Sequence, residues 1–358
     1  MLSARKAVQK IREYHPPLAG RSGLRLDFNE NTEGCSPRVL ERIRQLTPED
    51  LSRYPEREPV ERAVADYLGL TPGQVILTNG VDEGIHLLCQ AYLEPEHEAL
   101  IVTPTFSMYE IYAQATGATV RAVQCEGEFR FPVGQVLRAV SGATRLIAIA
   151  SPNNPTGTVA RRDELLRICA DAPEAAVLVD EAYVDFHGET VVPDVGSTAN
   201  LFVARTFSKA HGLAGLRAGI LAGPAEQMPS VRRVSSPYNV NIAALLALPV
   251  ALAEREYVAS YVAEILQGRA RLESALIRLG IRYWPSQANF LLLYIGERHR
   301  DFVAAMRQRG ILVRDRSADP GCDGCVRITI GTTEQMDRLL PTLEEVAAEV
   351  QFPKEVKA

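Results

Sequence analysis

The sequence predicts an α/β fold: a mostly parallel, seven-stranded sheet in a large unit, followed by a smaller α+β unit. Two observations predict the sheet. Seven short apolar runs occur at 74–78, 99–103, 118–123, 145–150, 176–180, 200–205 and 218–222, and amphipathic stretches at 82–92, 107–116 and 161–170 separate several of them. Strands joined by crossover helices lie parallel and are covered on both faces, so their runs are almost wholly apolar. A third observation marks the second unit. After about residue 240 the texture changes to a long Ala- and Leu-rich helical stretch, 241–280, broken near Pro249. Strand-like runs at 288–295, 311–314 and 326–330 then alternate with helical patterns at 300–309 and 333–350. Residues before about 40 are rich in Pro, Gly and Asn and read as an arm outside either sheet. The expected division is therefore 1–40, 41–243 and 244–358.

Composition removes several classes. The chain has 358 residues, 39 Lys+Arg against 44 Asp+Glu, and a net charge of −5. A mildly acidic balance argues against a nucleic-acid partner, because phosphate contacts need a basic face. The longest apolar run is shorter than the roughly 18 residues of a membrane span, so no membrane partner is expected. No apolar segment follows the basic N-terminal residues, so no signal peptide is expected. Six scattered cysteines do not make a disulfide scaffold and suit the cytoplasm. Cys322 and Cys325 form a C-x-x-C in a Gly-rich loop, with no second pair to complete a zinc site; they read as structural. The six histidines show no H-x-x-x-H spacing, so no metal is expected. G-x-G-x-x-G, the P-loop and G-x-S-x-G are also absent, which makes dehydrogenase, NTPase and esterase minor hypotheses.

Lysine usage is the oddest count. Of five lysines, Lys6, Lys10, Lys354 and Lys357 lie at the ends, and Lys209 alone lies between. The scarcity reads as a preference for Arg over Lys. The exception sits in ARTFSKAHGLAGLRAG (204–219), where Thr206, Ser208 and Arg217 can surround a phosphate. Three further segments follow strand ends, the usual ligand position in an open α/β sheet. TNGVDE (78–83) opens a helix, so the N–H groups of Val81 and Asp82 face an anion. SPNNPTGT (151–158) is a rigid turn that aims amides, Asn154 among them, at a fixed point. VDEAYVDF (179–186) puts Asp180 at a buried strand end, where a carboxylate needs a positive partner, with Tyr183 nearby. An imine-forming lysine, a carboxylate for a pyridinium nitrogen and a phosphate cradle together specify pyridoxal 5′-phosphate.

These segments resemble the fold-type-I, class I/II aminotransferases, and among them the histidinol-phosphate aminotransferases. The resemblance covers almost the whole chain: DFNEN (27–31), PTFSMY (104–109), SPNNPTG, DEAY, RTFSKAHGLAGLR, NF (289–290), LVRDR (312–316) and RITIGT (327–332). It implies that Lys209 forms the Schiff base and shuttles the proton. Asp180 would pair with the pyridine nitrogen, Asn154 and Tyr183 would bond the ring's 3′ oxygen, and Phe106 would stack on the ring. Val81, Asp82, Thr206, Ser208 and Arg217 would hold the cofactor phosphate. Tyr54 would reach it from a neighbouring subunit, which implies a homodimer with shared active sites.

The same resemblance gives substrate selection to Arg327, Arg314 and Tyr14, with Asn154 beside them. Residues 1–40 become an arm joining the small unit and the substrate mouth, 41–243 the cofactor-binding unit, and 244–358 the small C-terminal unit. The implied reaction is transamination between L-histidinol phosphate and 2-oxoglutarate, a cytoplasmic step of histidine biosynthesis. The competing readings are an aromatic amino-acid aminotransferase, a phospho-amino-acid decarboxylase and, outside enzymes, a cofactor-sensing regulator domain. A surface ion pair with Asp315 or Asp319 is the competing reading for Arg314. The arm motif EYHPP and the segment NENTEGCSP depart from the usual pattern at the substrate mouth, not at the cofactor cradle.

Overall fold

Alternating side-chain direction along apolar strands builds the core on two faces at once. The structure, a computed structural model, describes residues 2–350. Its strands in chain order are β1 (Leu24–Arg25), β2 (Val75–Asn79), β3 (Glu98–Thr103), β4 (Thr119–Gln124), β5 (Thr144–Ala150), β6 (Ala176–Asp180), β7 (Leu201–Thr206), β8 (Ala218–Ala222), β9 (Tyr283–Trp284), β10 (Phe290–Tyr294), β11 (Ile311–Leu312), β12 (Arg314–Asp315) and β13 (Cys325–Thr329). Seven form one sheet in the order β2-β8-β7-β6-β5-β3-β4. Neighbouring residues go to opposite faces: Leu77, Ile147, Val177, Val203 and Ile220 enter one core cluster. Ile76, Leu146, Leu178, Phe202 and Leu221 enter another, under helix Val81–Tyr92.

Strands β3 to β7 pair in parallel, as the crossover pattern requires. Strand β8 is antiparallel to both β7 and β2. No helical crossover separates β7 from β8. The lysine segment simply turns the chain back beside itself, which suits antiparallel pairing. The sheet is thus mostly, not wholly, parallel.

The second sheet, β12-β13-β10-β9, is antiparallel throughout. Helices Arg255–Leu279 and Thr333–Val350 cover it around Leu272, Phe290, Ile328 and Leu339.

Four sequence expectations are corrected here. The arm is not outside all pairing, because Leu24–Arg25 forms a parallel two-stranded ladder with β11. The 311–314 run splits at Val313: β11 serves the arm and β12 serves β13. The two-residue β9 carried too short a pattern to be seen. The long helical stretch runs through Pro249 and breaks instead at Glu254, whose φ −84 and ψ 47 are not helical. Helix Ile242–Ala253 buries Ala244, Leu245, Leu248 and Leu252 in the large sheet's core, so residues 244–253 pack with the first unit. Residues 351–358, with Lys354 and Lys357, lie outside the described residues.

Cys322 and Cys325 are free, buried thiols packed with Phe129, Trp284 and Leu292 in a small satellite core. No helix among the described residues is long and apolar enough to cross a membrane.

Candidate active site

The C-terminal ends of β5, β6 and β7 meet the arm and the second sheet around a cavity of about 430 Å³. Tyr14, Val81, Asp82, Phe106, Asn154, Asp180, Tyr183, Thr206, Ser208, Lys209, Arg217, Arg314 and Arg327 all line it. Every site residue expected from sequence is therefore brought together except Tyr54. That ring is 79% exposed and stacks on Tyr238, with centroids 4.3 Å apart.

One end of the cavity is built on the large sheet. Asp180 ends β6, buried, and accepts from Tyr109 Oη at 2.6 Å and from the Ala182 N–H at 3.0 Å. Burial pushes its carboxyl up to about 6, against the pull of those two donors. Lys209 donates to the Phe28 carbonyl at 3.1 Å. Burial, helped by the charge of Arg327, brings its amine down to about 8. An ordinary lysine near 10.4 is a poor base at neutral pH; this one is poised.

The phosphate cradle lies at the start of helix Val81–Tyr92. Gly80 caps the helix at φ +79 with no side-chain cap, leaving the first N–H groups open. A Cβ at Gly80 would stand 2.4 Å from the Arg217 guanidinium, so any other residue there would displace its tip. Arg217 donates to Asp82 at 2.9 Å. Ser208 Oγ and Thr78 Oγ1 are buried with no partner. Open helix amides, a guanidinium and an unpartnered hydroxyl fit a phosphate group. Asp180 fits a protonated ring nitrogen, and Lys209 fits an aldehyde. The residues present match pyridoxal 5′-phosphate.

The turn 151–158 divides its two asparagines. Asn153 holds the turn, donating to Pro104 O at 2.8 Å and Thr156 Oγ1 at 2.9 Å. Asn154 faces the cavity and accepts from Arg327. Gly157 lets the turn touch the second unit, since a Cβ there would meet the Ser286 side chain at 2.0 Å. Phe106 meets Tyr109 edge-on at 5.9 Å. Tyr183 Oη accepts from Asn29 Nδ2 at 3.0 Å.

The other end is built on the second sheet and the arm. Arg314 and Arg327 are direct cross-strand partners on β12 and β13. Like charges opposite each other destabilise a sheet unless an anion joins them. Arg327 is buried and bonds only neutral oxygens, Asn154 Oδ1 and the Asp27 carbonyl at 2.7 Å, while its Nε has no partner. Burial and the neighbouring Arg316 bring its guanidinium down to about 9. Arg314 does not form the ion pair that competed for it. It lies 5.3 Å from the Phe28 ring centroid, while Asp315 bonds His299 and Asp319 pairs with Arg316.

Sequence reasoning missed several site residues. Tyr109 stood in a quoted motif but had no role. Asn29, at φ 54, links Tyr183 to Thr329. The Phe28 ring carries Arg21 at 4.2 Å and Arg314 at 5.3 Å from its centroid, and Arg21 bonds Asp27 and Glu30. Arg316 also lines the cavity. A signal existed for Arg316 alone: it stands two residues from Arg314, on the same strand face.

The family model for aminotransferase class I and II matches residues 21–343. A histidinol-phosphate aminotransferase of Roseiflexus castenholzii is 39% identical, covering 92% of this chain and 93% of that protein. Histidinol-phosphate aminotransferase 2 of Pseudomonas aeruginosa is 36% identical, covering 96% and 98%. The fold is that of the Sinorhizobium meliloti histidinol-phosphate aminotransferase crystallised with pyridoxal 5′-phosphate, with a TM-score of 0.89 at 23% identity over 96% of this chain and 97% of that one. With the cradle, the buried carboxylate and the poised lysine in one cavity, the chain belongs to the class I and II aminotransferases and takes pyridoxal 5′-phosphate as its cofactor.

Proposed function

We propose that this enzyme moves the amino group of L-histidinol phosphate to 2-oxoglutarate, giving imidazole-acetol phosphate and glutamate in histidine biosynthesis. The observation that carries the reading is the cross-strand pair Arg314 and Arg327, side by side in the lining of the cavity with no carboxylate bonded to either among the described residues. A phosphate dianion satisfies two guanidinia, whereas an α-carboxylate needs one. The named relatives support the same substrate.

The cofactor, when bound, supplies a carbonyl that captures the amine and a ring that accepts the electron pair released at the substrate Cα. The chain's residues do the rest. Lys209, its amine brought down to about 8, would take and carry the proton of the substrate Cα. Asp180 keeps the ring nitrogen protonated, and Tyr109 holds Asp180 in place. Asn154, through its free amide Nδ2, and Tyr183 bond the ring's 3′ oxygen, and Phe106 covers the ring face. Val81 and Asp82 N–H groups, Thr206, Ser208 and Arg217 hold the cofactor phosphate. Tyr14 closes the substrate side with Arg314 and Arg327.

The enzyme is read as a cytoplasmic homodimer in which Tyr54 serves the neighbouring cavity. The exposed Tyr54–Tyr238 stack supports the dimer, and six free cysteines suit the compartment. The test is incubation with histidinol phosphate and 2-oxoglutarate, following glutamate. Its formation in step with imidazole-acetol phosphate is expected. No glutamate, with CO2 released from threonine phosphate instead, would replace the reading by the decarboxylase.

A further inference from the structure

We infer that Arg316 is a third anion-binding guanidinium of the substrate cavity and sets its preference for a phosphorylated over an unphosphorylated donor. The inference deepens the proposed function and rests on it. Arg316 follows β12 directly, and its N–H donates to the Cys325 carbonyl at 2.9 Å, so the ladder to β13 continues past Asp315 and Val326. Two residues apart on one extended strand, Arg314 and Arg316 point to the same face. That is the face from which Arg327 enters the cavity, and all three arginines line it.

Arg316 is placed for binding and is not a surface residue. Its side chain is 10% exposed, and its Nε is buried without a partner, as is the Nε of Arg327. A buried guanidinium N–H without an acceptor is costly. Both guanidinia line the cavity with hydrogen-bonding capacity left unused.

The local charges count toward a dianion. Asp319 is the one carboxylate among the described residues that pairs with any of the three arginines. Asp27 and Glu30, also at the cavity, are balanced by Arg21, which bonds both, and by Arg25, which pairs with Glu30 at 3.1 Å. Three guanidinia and one carboxylate leave two positive charges, which a phosphate monoester dianion neutralises. A monoanion leaves one guanidinium uncompensated in a part-buried site.

The loop after Arg316 gives this position its rigidity. The Asp319 N–H bonds the Arg316 carbonyl at 2.9 Å, the Cys322 N–H bonds the Asp319 carbonyl at 3.0 Å, and the Cys325 N–H bonds the Cys322 carbonyl at 2.8 Å. The two buried cysteines fasten these turns into the satellite core with Phe129 and Trp284. In this arrangement the C-x-x-C loop is the mount that holds Asp319 against Arg316.

The experiment compares histidinol phosphate with histidinol, which differs only by the phosphate, on the cofactor-loaded wild type, R316Q and R316K. It also measures inhibition by inorganic phosphate. R316Q is expected to lower the kcat/KM preference for the phosphorylated donor by about 10- to 100-fold, chiefly through KM, and to weaken phosphate inhibition. R316K keeps the charge without the fork and is expected to fall between. A merely structural Arg316 would lower both donors together, so a preference unchanged within about twofold in both variants overturns the inference. If the wild type itself shows no preference for the phosphorylated donor, the proposed substrate falls instead. Melting temperatures of the variants separate misfolding from binding.

Discussion

The two ends of the cavity treat charge in opposite ways. At the large-sheet end each charged group has a near partner: Asp180 has Tyr109, and Arg217 has Asp82. At the second-sheet end three arginines share one carboxylate. The first end has its groups already held by one another, as a site for the cofactor would need. The second keeps positive charge uncompensated, which costs stability on its own and is relieved when an anionic substrate enters. The difference teaches that cofactor and substrate are recognised by separate electrostatic devices. Variants at one end should therefore leave binding at the other in place, although the Arg327 charge still reaches the Lys209 amine.

The largest effect belongs to the cofactor end. Lys209→Ala is expected to abolish the visible absorption of bound cofactor and to lower transamination by about 10³-fold or more. Unchanged absorption would remove Lys209 from its role. Arg327→Met comes next. It should lower kcat/KM for histidinol phosphate by about 100-fold while leaving cofactor absorption in place. Loss of cofactor in that variant would show that the two ends are not separate.

Tyr109→Phe has a smaller effect with a definite sign. The Tyr109 hydrogen bond favours the charged form of Asp180, whose carboxyl burial already raises to about 6. Without that bond the carboxyl rises further, so the acid limb of the pH–rate profile should move to higher pH. An unmoved limb would make Tyr109 a packing residue only.

The smallest effect concerns Lys209 before cofactor capture. Only its neutral amine reacts with an aldehyde, and burial brings that amine down to about 8. Capture of pyridoxal phosphate by the apoenzyme should rise about tenfold from pH 7 to a plateau above the pKa. A midpoint near 10 would contradict the shift.

The same contrast explains what could be read from sequence. The cofactor end comes from short segments at consecutive strand ends, such as SPNNPTG and the Lys209 segment. Their residue types announce their chemistry locally. The substrate end depends on register between distant segments. Arg314 faces Arg327 only because β12 and β13 pair antiparallel, and Arg316 joins them only because the ladder continues to Cys325. The Tyr109–Asp180 bond likewise joins residues 71 positions apart, with no local pattern to mark it.

In the large sheet, strand identity was legible from apolar runs, but the reversed direction of β8 was not. Direction depends on the path of the connection, which composition does not encode. The helical stretch 241–280 read as one texture. Its division at Glu254 depends on which core each half can bury, a tertiary property.

The central claim is that this aminotransferase selects an amine bearing a phosphate dianion. The most direct measurement is steady-state kcat/KM for histidinol phosphate beside phenylalanine and tyrosine, with 2-oxoglutarate as acceptor and the wild-type holoenzyme. The account predicts that histidinol phosphate exceeds both aromatic donors by about 100-fold or more, mainly through KM. Equal or better use of phenylalanine or tyrosine would contradict it.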